Sequence, residues 1–289
     1  MRIVVFASGS EYSRIIFEAI ADHHQVLAAV RPASRGRVPQ RWIRAVRIWR
    51  SQRGLRVAAQ RHGVPVIAYH SPKDGKFIES IRSIGADLIV IAAFPYVVPP
   101  NICSLARLGA VNVHPSLLPR HRGADPLFWT FFHDESVTGS TVHWVVDALD
   151  AGDIILQESI AVPRGIRYDQ LTREVAWVGA KLVVAAIDDI ASGRAPRTPQ
   201  DEAASTTESV PSAGGWAIDF QTWGAERLWH FLHAVSRSHA YAVRRVLPLS
   251  EAIDFTIAPS SRPPGTVERD ADAIRIYTYD GWVTAQALR

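Results

Sequence analysis

The chain has 289 residues, 47% apolar and 21% charged, with a formal charge of +4 and a pI near 9.4, which is ordinary for a soluble globular protein of one large or two smaller domains. Its longest apolar run, Leu88 to Val98, is too short to span a bilayer and contains Pro95, and Ile3 to Ala7 is too short for a signal peptide, so a cytoplasmic location is expected. The one cysteine, Cys103, excludes an intrachain disulfide and a cysteine cluster for zinc, and reads as a packed helix residue.

Arg2–Ala7 reads as a buried strand, Ser8–Ser10 as a turn, and Glu11–His23 as a helix with Ile15, Ile16, Ala19 and Ile20 at helical spacing. This is the opening of an α/β sheet. Its small-residue loop suits a phosphate or carboxylate at the helix N-terminus, but without the Gly-x-Gly-x-x-Gly spacing NAD binding is not expected. Gln25–Val30 is the second strand. From Arg31 to Arg61 there are ten arginines and no acidic residue, and local potential of this kind attracts a polyanion more than net charge does. Within it Arg41–Arg56 predicts a helix with arginine at every third position (41, 44, 47, 50, 53, 56). A three-residue step drifts around a helix of period 3.6, spreading the arginines over a broad face while Trp42, Val46 and Trp49 form an apolar stripe. Such a helix is either a solvated face with its tryptophans in the core or an arm that grips phosphates without reading sequence.

Val64–Ala68 is a short strand, Asp74–Ile84 a helix, and Asp87–Ala93 a continuous apolar run, as in a central parallel strand buried on both faces. Phe94–Pro100 leaves the carboxyl end of that strand as a loop, where open α/β sheets place ligands. Asn101–Leu108 is a short helix and Leu127–Phe132 an aromatic one, largely core. Ile154–Val162 is a strand and Tyr168–Ile190 a long helix with Leu171, Val175, Val178, Leu182 and Ala186 on one side. Residues 193–215, rich in Pro, Ser, Thr, Gly and Ala, read as a linker. Beyond it come a helix, Glu226–Val235, and strand-like runs at Ile253–Ile257, Gly265–Val267, Ala273–Tyr277 and Trp282–Ala285. The expected architecture is α/β: a Rossmann-like open, mostly parallel sheet with helices on both faces over residues 1–192, and a small β-rich domain over 216–289.

The chemistry concentrates in residues 109–157. Asn112 and His114 sit two apart at the end of a β-branched run, so in a strand they point to the same side. Pro115 and Pro119 forbid helix and central strand, forcing an irregular loop that carries Ser116, Arg120 and Arg122. Thr141–Val146 then reads as a strand and Asp147–Gly152 as a tight loop with two carboxylates, Asp147 and Asp150. Taken singly, Asn-x-His is commonly a turn amide beside a half-buried imidazole, and the Asp of Leu-Asp-Ala-Gly a turn former. Two strand ends with polar loops together make a candidate active site.

Asn112, His114 and Asp150, with Ser116-Leu-Leu-Pro119 and the intervening Gly139-Ser-Thr-Val-His143, resemble the folate-dependent formyltransferase family, which includes glycinamide ribonucleotide, methionyl-tRNA and sugar-nucleotide formyltransferases. The resemblance runs across nearly the whole chain. It implies transfer of the formyl group of 10-formyltetrahydrofolate, a co-substrate, to a primary amine. The acceptor it implies first is methionyl-tRNA-like, and second a small amine such as an amino sugar nucleotide; with water as nucleophile the same residues imply a formyltetrahydrofolate hydrolase. By position it places Val98, His143, Val145 and Asp147 beside the pterin. On the acceptor side it suggests Ser116, Arg120, Arg122 and Trp129. Arg31–Arg37 resembles the start of the basic loop with which methionyl-tRNA formyltransferases engage tRNA, beyond which the sequence departs; Arg41 and Arg44 join the acceptor side through the phosphate-gripping reading of the Arg41–Arg56 helix. The C-terminal order resembles the small β-barrel-like domain of the methionyl-tRNA and some sugar-nucleotide enzymes, with a packing, dimerisation or RNA-binding role.

In such a reaction an amine attacks the formyl carbon, an oxyanion forms and the folate N10 leaves. Asn112 supplies an amide donor to the oxyanion, His114 a group that titrates near neutrality, and Asp150 an acceptor for the amine's proton. Ser116 is expected to be a loop hydrogen bonder, since no base is fixed beside it, and the His and Asp residues do not fall at a zinc-helix spacing. From another class, the alternative is a non-catalytic RNA-binding protein on the same fold.

Overall fold

The structure is a computed structural model that describes residues 1–33, 54–211 and 215–288. Most of the helix expected over Arg41–Arg56, with Arg41 and Arg44 themselves, lies outside the described residues. The chain runs β1 (Arg2–Ala7), α1 (Glu11–His23), β2 (Gln25–Pro32), α2 (residues 54–61), β3 (Val66–Tyr69), α3 (Gly75–Ile84), β4 (Leu88–Ala92), α4 (Pro100–Cys103) and β5 (Ala110–His114). There follow β6 (Arg122–Gly123), α5 (Pro126–Phe132), β7 (Val137–Trp144), β8 (Ile154–Ala161), α6 (Tyr168–Ala191), a 3-10 turn (Glu202–Ala204) and β9 (Thr207–Glu208). The remainder is α7 (Ala225–Val235), α8 (Ala240–Val243) and β10 (Leu249–Ile257), β11 (Val267–Asp270), β12 (Ala273–Tyr277) and β13 (Gly281–Ala287).

These elements form two compact units whose boundaries do not follow the order of the chain. The first comprises residues Met1–Arg122, Gly139–Ile160 and Thr172–Thr207; the second comprises Gly123–Thr138, Ala161–Leu171 and Glu208–Arg289. The expected division at a 193–215 linker is redrawn. Residues up to Thr207 count with the first unit, held by the paired backbone bonds of Ile154 with Thr198 and by Arg122 N–H donating to Thr206 O. Polar composition disguised a segment that packs through hydrogen bonds.

In the first unit a seven-stranded sheet has the order β3-β2-β1-β4-β5-β7-β8. β1 is buried beyond its first residue and β4 throughout, as strands flanked on both sides and covered on both faces require. The pairs β1/β2, β1/β4, β2/β3 and β4/β5 are parallel, and β7 runs antiparallel to β5. β7 starts four residues before the expected Thr141 and stops at Trp144, because Val137–Gly139 continue the ladder that the small residues Gly139 and Ser140 had obscured. α4 is a single turn, not the expected Asn101–Leu108 helix; Leu105 and Ala106 close three-residue turns onto Ile102 and Cys103 instead. On one face of β5, Tyr12 Oη of α1 donates to Val113 O at 3.4 Å, and burial pushes that phenol up. α6 comes so close to this face that a Cβ on Gly179 would lie 3.0 Å from Val113 Cγ1. Asn112 and His114 therefore turn to the other side.

In the second unit α7 packs against a four-stranded antiparallel sheet of order β10-β13-β12-β11. It is an open sheet with β10 and β11 at its edges, where a barrel-like domain was expected. α5 joins it: Phe128 and Phe131 are fully buried, and Phe128 and Phe132 meet Phe231 of α7 edge-on at 5.5 and 5.8 Å. Among the described residues no helix is long and apolar enough to cross a membrane.

Gly139 marks a close approach between β7 and its neighbours, since a Cβ there would overlap the carbonyl oxygen of Glu158 and lie 2.6 Å from Leu117 Cδ2. Gly139→Ala is expected to destabilise the fold by about 2 kcal/mol, as overpacking does. A lowered urea midpoint with an unchanged m value reads this out.

Candidate active site

Alternation along β5 sends Val111 and Val113 into the core and leaves Asn112 and His114 on the opposite face. The antiparallel register sets Asn112 opposite His143 and His114 opposite Thr141, so two neighbouring strands contribute an amide and two imidazoles to one patch. Asp150 reaches the patch from the loop after β7. Its backbone is left-handed, φ 52°, a conformation that costs a non-glycine residue about 1 kcal/mol and persists where neighbours fix it.

The hydrogen bonds assign the protons. His143 Nδ1 faces Trp144 O at 2.9 Å and so carries its hydrogen. Burial, and next the charge of His114, push His143 down to about 4, so its ring is neutral near pH 7 and Nε2 is a lone pair. Asn112 Nδ2 lies 3.1 Å from that lone pair and donates to Asp150 Oδ1 at 3.2 Å, which commits both amide hydrogens. His114 Nε2 lies 2.8 Å from His121 O, a carbonyl, and is therefore the N–H. Its Nδ1 is turned to Asp150 Oδ2 at 3.7 Å. His114, His143 and Asp150 have side-chain exposures of 5%, 2% and 10%, low enough for charges here to interact strongly.

The three residues expected to be catalytic thus converge, and His143 joins them. Val145 and Asp147 border a cavity of about 230 Å³ with Pro100, Cys103, Ser104 and Gly109. Val98 is buried in the adjoining core, where its carbonyl accepts from Cys103 Sγ at 3.5 Å. Burial raises that thiol to about 11.

Three of the expected acceptor contacts are committed elsewhere. Ser116 is fully buried and donates to Arg120 O at 2.8 Å, shaping the loop. Arg122 is 6% exposed and makes a fork to both Glu202 oxygens at 2.9 and 2.7 Å and to Gln200 Oε1 at 3.1 and 2.9 Å. Trp129 is buried in the second unit, with Nε1 donating to Ser209 O at 3.0 Å. Arg120 is exposed at the loop surface. Among the described residues no group of three or more His, Cys, Asp or Glu is arranged to hold a metal ion.

Sequence reasoning missed Thr206, whose Oγ1 accepts from His121 N–H at 2.8 Å, and Gln200, which bonds the Asp150 loop. Neither stands in a periodic segment, so neither carried a signal.

An open α/β sheet thus brings an amide, a tautomer-fixed imidazole and a shielded carboxylate together in one patch. Residues 1–187 match the formyl transferase family, and the chain belongs to that family. It is 40% identical over 152 residues to the methionyl-tRNA formyltransferase of Syntrophus aciditrophicus, an alignment covering 53% of this chain and about half, 49%, of the relative. Against that of Staphylococcus epidermidis it is 31% identical over 268 residues, covering 92% of this chain and 84% of the relative. The solved N-formyltransferase of Helicobacter canadensis, in complex with folinic acid and dTDP-3-aminofucose, shares the fold over 99% of both chains at 14% identity, with a TM-score of 0.65.

Two buried imidazoles make the fold sensitive to acid. His230, whose Nδ1 accepts from Gly165 N–H at 3.1 Å, is lowered by burial to about 4, as is His143. The unfolded chain takes up these protons below about 6.5 and the folded chain only near 4. Stability is therefore undiminished above that window and falls as pH drops through it, by up to about 1.4 kcal/mol per pH unit for each proton. His143→Gln, which keeps an acceptor for Asn112, should flatten the fall in urea-unfolding free energy; slopes equal to wild type would contradict the assignment.

Proposed function

We propose that the protein moves the formyl group of 10-formyltetrahydrofolate to a primary amine, with a methionyl-tRNA-like acceptor. The observation that carries the reaction is the approach of both Asn112 and His114 to within 3.7 Å of the Asp150 carboxylate. The curated relatives, named methionyl-tRNA formyltransferases at 31 to 40% identity, and the arginine-rich stretch from Arg31 to Arg61 support the acceptor.

The amine attacks the formyl carbon and its proton passes to the shielded Asp150 and His114 Nδ1 pair. As Asp150 takes up the proton, its Oδ1 becomes a poorer acceptor, and the Asn112 hydrogen it held turns to the oxyanion. Collapse breaks the bond to N10, which leaves with a proton, giving a formamide and tetrahydrofolate. His121 O holds His114 as the Nε2–H tautomer throughout, so proton exchange is confined to Nδ1. The cavity beside Val145 and Asp147 supports a pterin lying against the Val98 segment.

A second reading keeps donor and chemistry but takes a small amine such as an amino sugar nucleotide. It is favoured by the end-to-end fold match with the Helicobacter canadensis protein, solved in complex with dTDP-3-aminofucose.

The test supplies 10-formyltetrahydrofolate with charged methionyl-tRNA and, separately, with amino sugar nucleotides, and looks by mass spectrometry for the gain of one formyl group. Formylation of tRNA that weakens steeply with salt supports the first reading; formylation of the nucleotide sugar alone replaces it with the second. Asn112→Ala is expected to lower kcat about 100- to 1000-fold, and a variant at wild-type rate would remove the oxyanion role.

A further inference from the structure

The reach of Asp150 depends on a segment that contributes no atom to the patch. Gln200, in the polar stretch after α6, spends its whole side-chain amide on three residues. Nε2 donates to Asp150 O and to Gly152 O, both at 2.8 Å. Oε1 accepts from Arg122 Nε at 3.1 Å and Nη2 at 2.9 Å. The orientation is unambiguous, since a flipped amide would face N–H against N–H at Arg122 and oxygen against two carbonyls. Arg122 is buried and anchored in turn by both oxygens of the exposed Glu202.

The two carbonyls that Gln200 gathers bracket the turn that aims Asp150. Asp150 is left-handed, φ 52°, and Gly152 packs so closely that a Cβ there would overlap Trp144 O. The loop is thus pinned on one side by β7 and on the other by Gln200, with the Asp150 carboxylate left pointing at Asn112 and His114. A few residues on, Thr206 Oγ1 accepts from His121 N–H, and His121 O fixes the His114 tautomer. One polar strap therefore secures both loops from behind.

We propose that Gln200 is a positioning residue, clamping the Asp150–Gly152 backbone to the buried Arg122 so that the carboxylate is preset for proton transfer. The proposal rests on the formyl-transfer reading for its catalytic consequence. A small misplacement of a reacting group costs about 100-fold in rate where chemistry limits turnover.

Gln200→Glu separates the clamp from its anchor. A carboxylate there still pairs with Arg122 but cannot donate to the two carbonyls. Expected is a fall in kcat of about 100-fold, with KM for 10-formyltetrahydrofolate and for the acceptor within about twofold. Lys181→Ala, which removes only an exposed ion pair with Glu158, should stay within about twofold of wild type in both. The second measurement, backbone hydrogen exchange by NMR, does not need turnover: exchange at Trp144 and Ala151, whose N–H groups bond Asp153 O and Ala148 O, should rise in Gln200→Glu while α6 amides keep their protection. If wild type formylates no amine, the reaction fails and exchange alone decides the clamp. Loop exchange equal to wild type overturns the clamp, and raised exchange with unchanged kcat in an active enzyme overturns its positioning role.

Discussion

β7 lies antiparallel beside β5, and from that pairing most of the patch follows. In a parallel neighbour the loop after the strand would leave in the direction taken by the loop after His114. Here the two loops leave from opposite ends, so the Asp147–Gly152 turn has to double back to bring Asp150 to the Asn112–His143 pair. The doubling back explains a left-handed aspartate, a glycine pressed on Trp144 O and an external amide holding two carbonyls. It also puts the carboxylate on a turn and the amide and imidazole on a strand.

Burial then sorts two imidazoles of the same type into different work. His143 gives Nδ1–H to its neighbour's carbonyl and Nε2 to Asn112, has no solvent and no counter-charge as strong as its desolvation, and stays neutral. It aligns the amide. His114 uses the opposite nitrogen for its backbone anchor and keeps Nδ1 toward Asp150. The difference lies in which ring nitrogen finds a carbonyl first, and that is decided by β7 for one ring and by the His121 turn for the other.

The parts of this arrangement that are legible in the sequence are those governed by period and by proline. Val111 and Val113 alternating with Asn112 and His114 tell which side chains share a face, Pro115 and Pro119 tell where regular structure stops, and the run Leu88–Ala92 announces a central strand. What stays hidden works through hydrogen bonds across distance. Gln200 and Thr206 lie in a stretch whose composition is that of a connector, and nothing in a polar tetrapeptide reveals that its amides are saturated by a loop 50 residues earlier. Arg122 illustrates the converse. Its charge and its place beside the loop suggest an exposed anion contact, yet a guanidinium forked onto Glu202 and Gln200 is satisfied inside the protein. Trp129 and the rest of α5 fall to the sheet domain by their early position in the chain, whereas their aromatic surface matches that of α7.

The placement of α5 also decides how the chain can be divided. α5 sits in sequence between β6 and β7, in the middle of the sheet-forming half, but Phe128 and Phe132 find their covering rings on α7, a hundred residues later. A gene fragment stopping after α6 would keep every strand of the large sheet and leave these rings facing water. It would be sticky and poorly expressed, and its inactivity would say nothing about whether the C-terminal sheet touches substrate. Recombination that swaps the tail between relatives must carry compatible α5 rings with it, so this short aromatic helix limits which tails the large sheet can be joined to.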